Sequence, residues 1–94
     1  MLLVKRQKGG LGLIIDRVIL RVTKVVATSA VLTVEQDGEK TSHPLVPGQN
    51  LLIGQSSVRL LKIYRQRQEV LLAISAPQET VIERESYLPL PQRR

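Results

Sequence analysis

Apolar residues fall along the chain in short runs of Val, Ile and Leu bounded by Gly, Pro, Asp and Ser, and helical spacing of apolar positions is hard to find anywhere. Branched aliphatic side chains suit the pleated surface of a sheet. The pattern therefore predicts strands at residues 2–7, 11–16, 18–27, 30–36, 39–46, 50–54, 57–65, 69–75 and 80–85. Gly9 and Gly10 supply the first turn, because glycine reaches positive φ without steric cost. Asp37 and Gly38 are a pair suited to the type I′ hairpin, so residues 30–36 and 39–46 are expected to pair antiparallel. Pro44 lies inside the second of these and cannot donate to a ladder, which puts that segment at a sheet edge or a strand end. Pro89 and Pro91 exclude a regular helix from the tail, so residues 88–94 read as extended or disordered and the fold is expected to end near Tyr87.

The two halves resemble each other. Residues 9–34 run through a glycine turn, a short apolar strand (Leu13, Ile14, Ile15), a long strand from Val18, a polar break at Thr28 and Ser29, and a further strand. Residues 48–75 repeat that order with Gly48, then Leu51, Leu52 and Ile53, then a long strand from Val58, a break at Gln66 to Gln68, and a strand from Val70 to Ser75. The chain is accordingly read as one all-β domain over residues 1–87, with repeat one at 1–47 and repeat two at 48–87.

Composition narrows the function. Of 94 residues 43% are apolar, yet Phe, Trp and Cys are absent and Tyr occurs twice, so the core must be aliphatic. The lack of cysteine removes disulfides, thiolate metal sites and thiol catalysis, and it fits a reducing compartment. Residues 1–4 are apolar but Lys5, Arg6 and Lys8 follow them, which inverts the charge order of a secretory signal. No apolar run is long enough to span a bilayer as a helix. A cytoplasmic protein without membrane contact is the expectation.

Fourteen Lys and Arg against 8 Asp and Glu give a formal charge of +6 and a pI near 10.3, so the long-range field attracts polyanions, nucleic acid being the commonest. Cutting the chain after Pro47 leaves seven basic and four acidic residues on each side, so the excess is not confined to a tail. A merely solubilising surface is the plainer alternative. Catalysis finds no support: His43 is the only histidine and has no carboxylate or serine at catalytic spacing. Gly9, Gly10 and Gly12 lack the spaced lysine and following helix of a phosphate loop. Neither an enzyme nor a cofactor is expected.

Specific residues carry a family likeness. The stretch Gly48, Gln49, Asn50, Leu51, Leu52, Ile53, Gly54, followed later by Ala76, Pro77, Gln78, Glu79 and then Val81, Ile82, Glu83, Arg84, Glu85, resembles the carbon storage regulator (CsrA/RsmA) family of dimeric bacterial RNA-binding translational regulators. Met1, Leu2, Leu3, Val4, Lys5, Arg6, Gly9, Asp16 and Val18 look like the amino-terminal strands of the same family. The resemblance implies a tandem fusion, a single-chain pseudo-dimer folded as a compact β-sandwich or barrel-like domain without the family's carboxy-terminal helix.

It also implies a site. Family protomers intertwine so that the first strand of one lies beside the last strand of the other, and each pair binds RNA. Here the strand with Lys5 and Arg6 is expected beside the strand with Arg84, with Leu3, Val4, Val81 and Ile82 lending backbone edges to read bases. The family's basic pair maps onto Arg6 and Gln7, so one charge is lost, with Lys5 or Lys8 as substitutes. A second site is expected to be broken, since residues 39–46 stand alone where two strands are needed and carry no arginine. The implied ligand is a GGA-containing hairpin loop in a messenger RNA leader or a small regulatory RNA, with a protein antagonist and a homodimer left open. Arg59, Lys62, Arg65 and Arg67 form a second basic group, either a solvated face or an extension of an RNA path. For Arg84 the plainer reading is a surface ion pair with Glu83 or Glu85, and for Lys5 and Arg6 an edge kept soluble by charge. The alternative function is a protein-interaction module without specific RNA binding, either a degenerate member of the family or a sandwich similar to phosphopeptide-binding domains around Leu52, Ile53 and Gly54.

Overall fold

A computed structural model describes residues 1–85, which form nine strands: β1 (Leu2–Gln7), β2 (Leu13–Ile15), β3 (Val18–Val25), β4 (Ala30–Gln36), β5 (Glu39–Leu45), β6 (Asn50–Ile53), β7 (Ser56–Tyr64), β8 (Glu69–Ser75) and β9 (Ile82–Arg84). A 3₁₀ turn at Arg65–Arg67 is the one helical element among the described residues. All nine expected strands are present. The expected extended tail at residues 88–94 and the expected end of the fold near Tyr87 lie outside the described residues.

Local chemistry explains the turns. Asp37 and Gly38 take φ of 54° and 81°, positive at both positions as type I′ requires, and β4 pairs antiparallel with β5 from Ala30↔Leu45 to Gln36↔Glu39. Asp16 and Arg17 make a similar two-residue turn, at φ of 46° and 75°, between Ile15 and Val18. That turn shortens the expected strand at 11–16 to three residues. Gly9, not Gly10, carries the positive φ of the first turn. Pro44 sits on β5, an edge strand, where its missing N–H leaves no gap in a central ladder.

The strands form two sheets, in the orders β1-β8-β7-β6 and β5-β4-β3-β2-β9. Each sheet turns one row of aliphatic side chains inward, and Leu13, Ile15, Leu20 and Leu32 from one sheet join Val58, Leu60, Leu72 and Ile74 from the other in one core. Burying each such side chain contributes about 1.5 to 3 kcal/mol, so the sandwich stands on aliphatic packing, with no aromatic in the core among the described residues.

The internal repeat is visible in the topology. The meander β2-β3-β4 is matched by β6-β7-β8, and each carries a register shift at the same place, between Val22 and Lys24 in one and between Leu60 and Lys62 in the other. The turns before the meanders match as well. Gly9 N–H donates to Val22 C=O at 3.1 Å and Gly48 N–H to Leu60 C=O at 2.7 Å. The meanders then exchange flanking strands: β1, from the first half, pairs with β8, while β9, from the second half, pairs with β2.

One expectation is corrected by this pairing. Residues 2–7 do not share a ladder with residues 80–85; β1 and β9 are edges of different sheets. The reason is that β1 places all six residues in register with β8, from Leu2↔Ile74 to Gln7↔Glu69, and thereby sets Val4 and Arg6 over the buried row of Leu72 and Val70.

Candidate nucleic-acid interface

The pleat of β1 decides what each of its side chains can do. Arg6 lies opposite Val70, which is fully buried, so Arg6 belongs to the inward row with Val4, while Lys5, opposite Leu71, belongs to the outer row with Leu3. On β9, Ile82 and Arg84 lie opposite the buried Ile15 and Leu13 and share their inward face. Arg6 and Arg84 thus both come from inward rows of edge strands, and they lie near enough across one rim of the sandwich for the charge of Arg84 to act on Arg6. Their guanidinium groups repel. Burial first, and Arg84 second, hold the Arg6 pKa below the ordinary arginine value.

Arg6 is held but not satisfied. One of its terminal nitrogens donates to Lys5 C=O at 2.7 Å, while its Nε is buried with no hydrogen-bond partner among the described residues. The ion pairs among the described residues engage Arg21 and Arg67, and none reaches Arg6 or Arg84. The plainer reading pairs Arg84 with Glu83 or Glu85; among the described residues it makes an ion pair with neither, and the Glu85 carboxylate is engaged by Arg21 and the Gly12 amide. Val4 and Ile82 pack partly against the core at this rim, whereas Leu3 and Val81 are exposed, at 54% and 57%.

A network fixes β9 in place. Glu85 accepts from Gly12 N–H at 2.7 Å and from Arg21 Nε at 3.1 Å, with a second contact to the other end of the guanidinium, and Arg21 also reaches Glu35 at 2.9 Å. The paired guanidinium, and then the Gly12 amide, hold the Glu85 carboxyl below the ordinary range and outweigh its partial burial. Gly12 is required by space. A Cβ there would stand 2.6 Å from Leu20 C=O. At the other end of the strand Val81 N–H donates to Asp16 Oδ1 at 3.0 Å and Asp16 N–H to Val81 C=O at 2.9 Å.

Lys5 leads to a second basic patch on the outer face of the first sheet. Its ammonium stands 5.2 Å from the Tyr64 ring centroid, and Lys62 and Arg67 approach the same ring at 5.5 Å and 5.4 Å, within cation–π range. Gln7 amide also reaches back to Arg67 C=O, at 3.4 Å. Lys5 and Arg6 therefore do not act on one surface.

Sequence reasoning pointed to Arg6, Arg84, Val4 and Ile82, which lie on the inward rows of β1 and β9, and to Leu3, Lys5 and Val81, which lie on outer or exposed positions. It missed Arg21, Glu85 and Gly12 as the device that seats β9, and Tyr64 as the centre of the outer patch. A glycine without a turn at 12 was the available signal for the first, and a tyrosine amid four basic residues for the second. Compared with protein-family models, with curated proteins and with solved structures, the chain has no match.

Proposed function

We propose that the chain is an RNA-binding translational regulator of the carbon storage regulator type, fused in tandem, which grips an unpaired loop at the rim between β1 and β9. The observation that carries the proposal is the proximity of Arg6 and Arg84, drawn from opposite ends of the chain, with no ion pair to either among the described residues. Two close cations with an unpartnered buried Nε are relieved by a bound anion, and a planar guanidinium suits phosphate or the edge of guanine. The free edges of β1 and β9 add rows of backbone donors and acceptors that read unpaired bases. Exchange of flanking strands between the two meanders supports the family reading, since it joins one element from each half at the site.

The opposite rim supports the expectation of a lost second site: β5 carries Glu39, Lys40 and His43 and no arginine, and β6 is short. A gel-shift of the full chain against a GGA-loop hairpin and a scrambled-loop hairpin tests the reading. Tighter binding of the GGA loop, weakened roughly tenfold or more by either Arg6→Ala or Arg84→Ala, is expected from loss of one bidentate contact of about 1 to 3 kcal/mol. Equal, salt-sensitive binding of both hairpins, unmoved by either substitution, would reduce the interaction to net charge.

A further inference from the structure

The internal repeat exposes a place where one meander is covered and its counterpart is not. On β2 the outer edge is paired by β9, but among the described residues nothing pairs with the outer edge of β6. The correspondence is residue by residue: Leu13, Ile14 and Ile15 in register with Leu20, Ile19 and Val18 match Leu51, Leu52 and Ile53 in register with Val58, Ser57 and Ser56. Ile14, facing Glu83 of β9, is half-buried, whereas Leu52 is 74% exposed. Leu13 is fully buried and Leu51 only partly so.

The same correspondence pairs Arg21 with Arg59. Arg21 holds the Glu85 carboxylate that arrives just after β9, together with Glu35. Arg59 has no carboxylate among the described residues; its Nε donates to Asn50 Oδ1 at 3.2 Å, and Asn50 stands where Gly12 stands in the covered repeat. Beside the end of this edge lies a groove of about 520 Å³ whose wall includes Leu52, Ile53, Val18, Val34 and His43.

We infer that the β6 edge is a docking site for an extended acidic peptide segment of a partner protein, which adds as an antiparallel strand in the manner of β9. The register fixes its pattern. An apolar residue opposite Ile53 faces inward toward the groove, as Ile82 does opposite Ile15, and an acidic residue three positions later meets Arg59, as Glu85 meets Arg21. Backbone pairing provides the attraction common to any strand, and the apolar and acidic positions select the sequence. The site is distinct from the β1–β9 rim and does not depend on RNA.

The chain's own β9 supplies the probe, a labelled peptide with the sequence of residues 80–85, Thr-Val-Ile-Glu-Arg-Glu. Titrated into the full chain, it is expected to bind, to shift the amide resonances of residues 50–53, and to weaken about tenfold on Arg59→Ala or when its final Glu is replaced by Ala. Arg6→Ala is expected to leave it unchanged, which separates this site from the RNA reading. No binding at millimolar peptide overturns the inference. Shifts confined to β2, sensitive to Arg21→Ala but not Arg59→Ala, also overturn it, since they would mean displacement of the resident strand. A dimer of the unliganded chain abolished by Arg59→Ala would assign the edge to a second copy and overturn the peptide assignment.

Discussion

Glu85 does its work through geometry that no neighbouring residue supplies. Its carboxylate bridges the Gly12 amide and Arg21, and its pKa is depressed in the folded state. A carboxylate with a depressed folded pKa contributes stability above its unfolded value of about 4.3, and that contribution is lost as pH falls through the folded value. Glu85→Gln is thus expected to cost on the order of 1 kcal/mol at neutral pH, from exchange of charge-assisted for neutral hydrogen bonds at a partly exposed site. Urea titrations at a series of pH values check this: the gap between the two proteins should shrink as pH falls below the unfolded carboxyl value of about 4.3 and close once it has passed through the lower folded value. A constant gap across the series would mean that packing, not charge, carries the effect. Arg6 differs, because it has burial and a like charge beside it and no ion pair among the described residues, so it gains no comparable stabilisation.

Strands of this chain were legible one at a time, but of the pairings only the β4–β5 hairpin was legible, through its Asp37–Gly38 turn. Short runs of branched aliphatic residues and the turn residues between them placed all nine, because strand propensity and turn φ are local properties. Which strand neighbours β1 is not local: Leu2 and Val4 ask for an apolar partner without naming β8 over β9. The bonds that seat β9 join residues 64 to 73 positions apart, beyond any sequence window. Three residues of ladder are little to hold a strand that carries Arg84, so the clasps at its two ends matter. Asp16→Ala removes the acceptor for Val81 N–H. Faster amide hydrogen exchange at residues 82–84, with unchanged protection in β7 and β8, is the expected result. Unchanged exchange at β9 would show that the Glu85 end alone suffices.

At the scale of the whole molecule, the repeated meander and the exchange of flanking strands set the composition of the two rims. Each half lends an edge strand to the other's sheet, so one rim acquires Arg6 and Arg84, while the other ends in β5 and an uncovered β6. The repeat was visible as similar order in the two halves, and the resemblance built on it implied that the strand of Arg6 lies beside the strand of Arg84, whereas β1 and β9 are edges of different sheets with the two arginines near each other. Nor did it foresee that Lys5 faces away toward Tyr64. Pleat and register account for the difference, since adjacent residues of a strand point to opposite faces.

The central claim is that β1 and β9 act together on one RNA loop, and amide chemical-shift mapping of the full chain during titration with a GGA-loop hairpin tests it most directly. Resonances of residues 3–6 and 81–84 are expected to move together and to saturate at one RNA per chain. Shifts restricted to the Tyr64 patch, or to the β6 edge, with β1 and β9 unmoved, would contradict it.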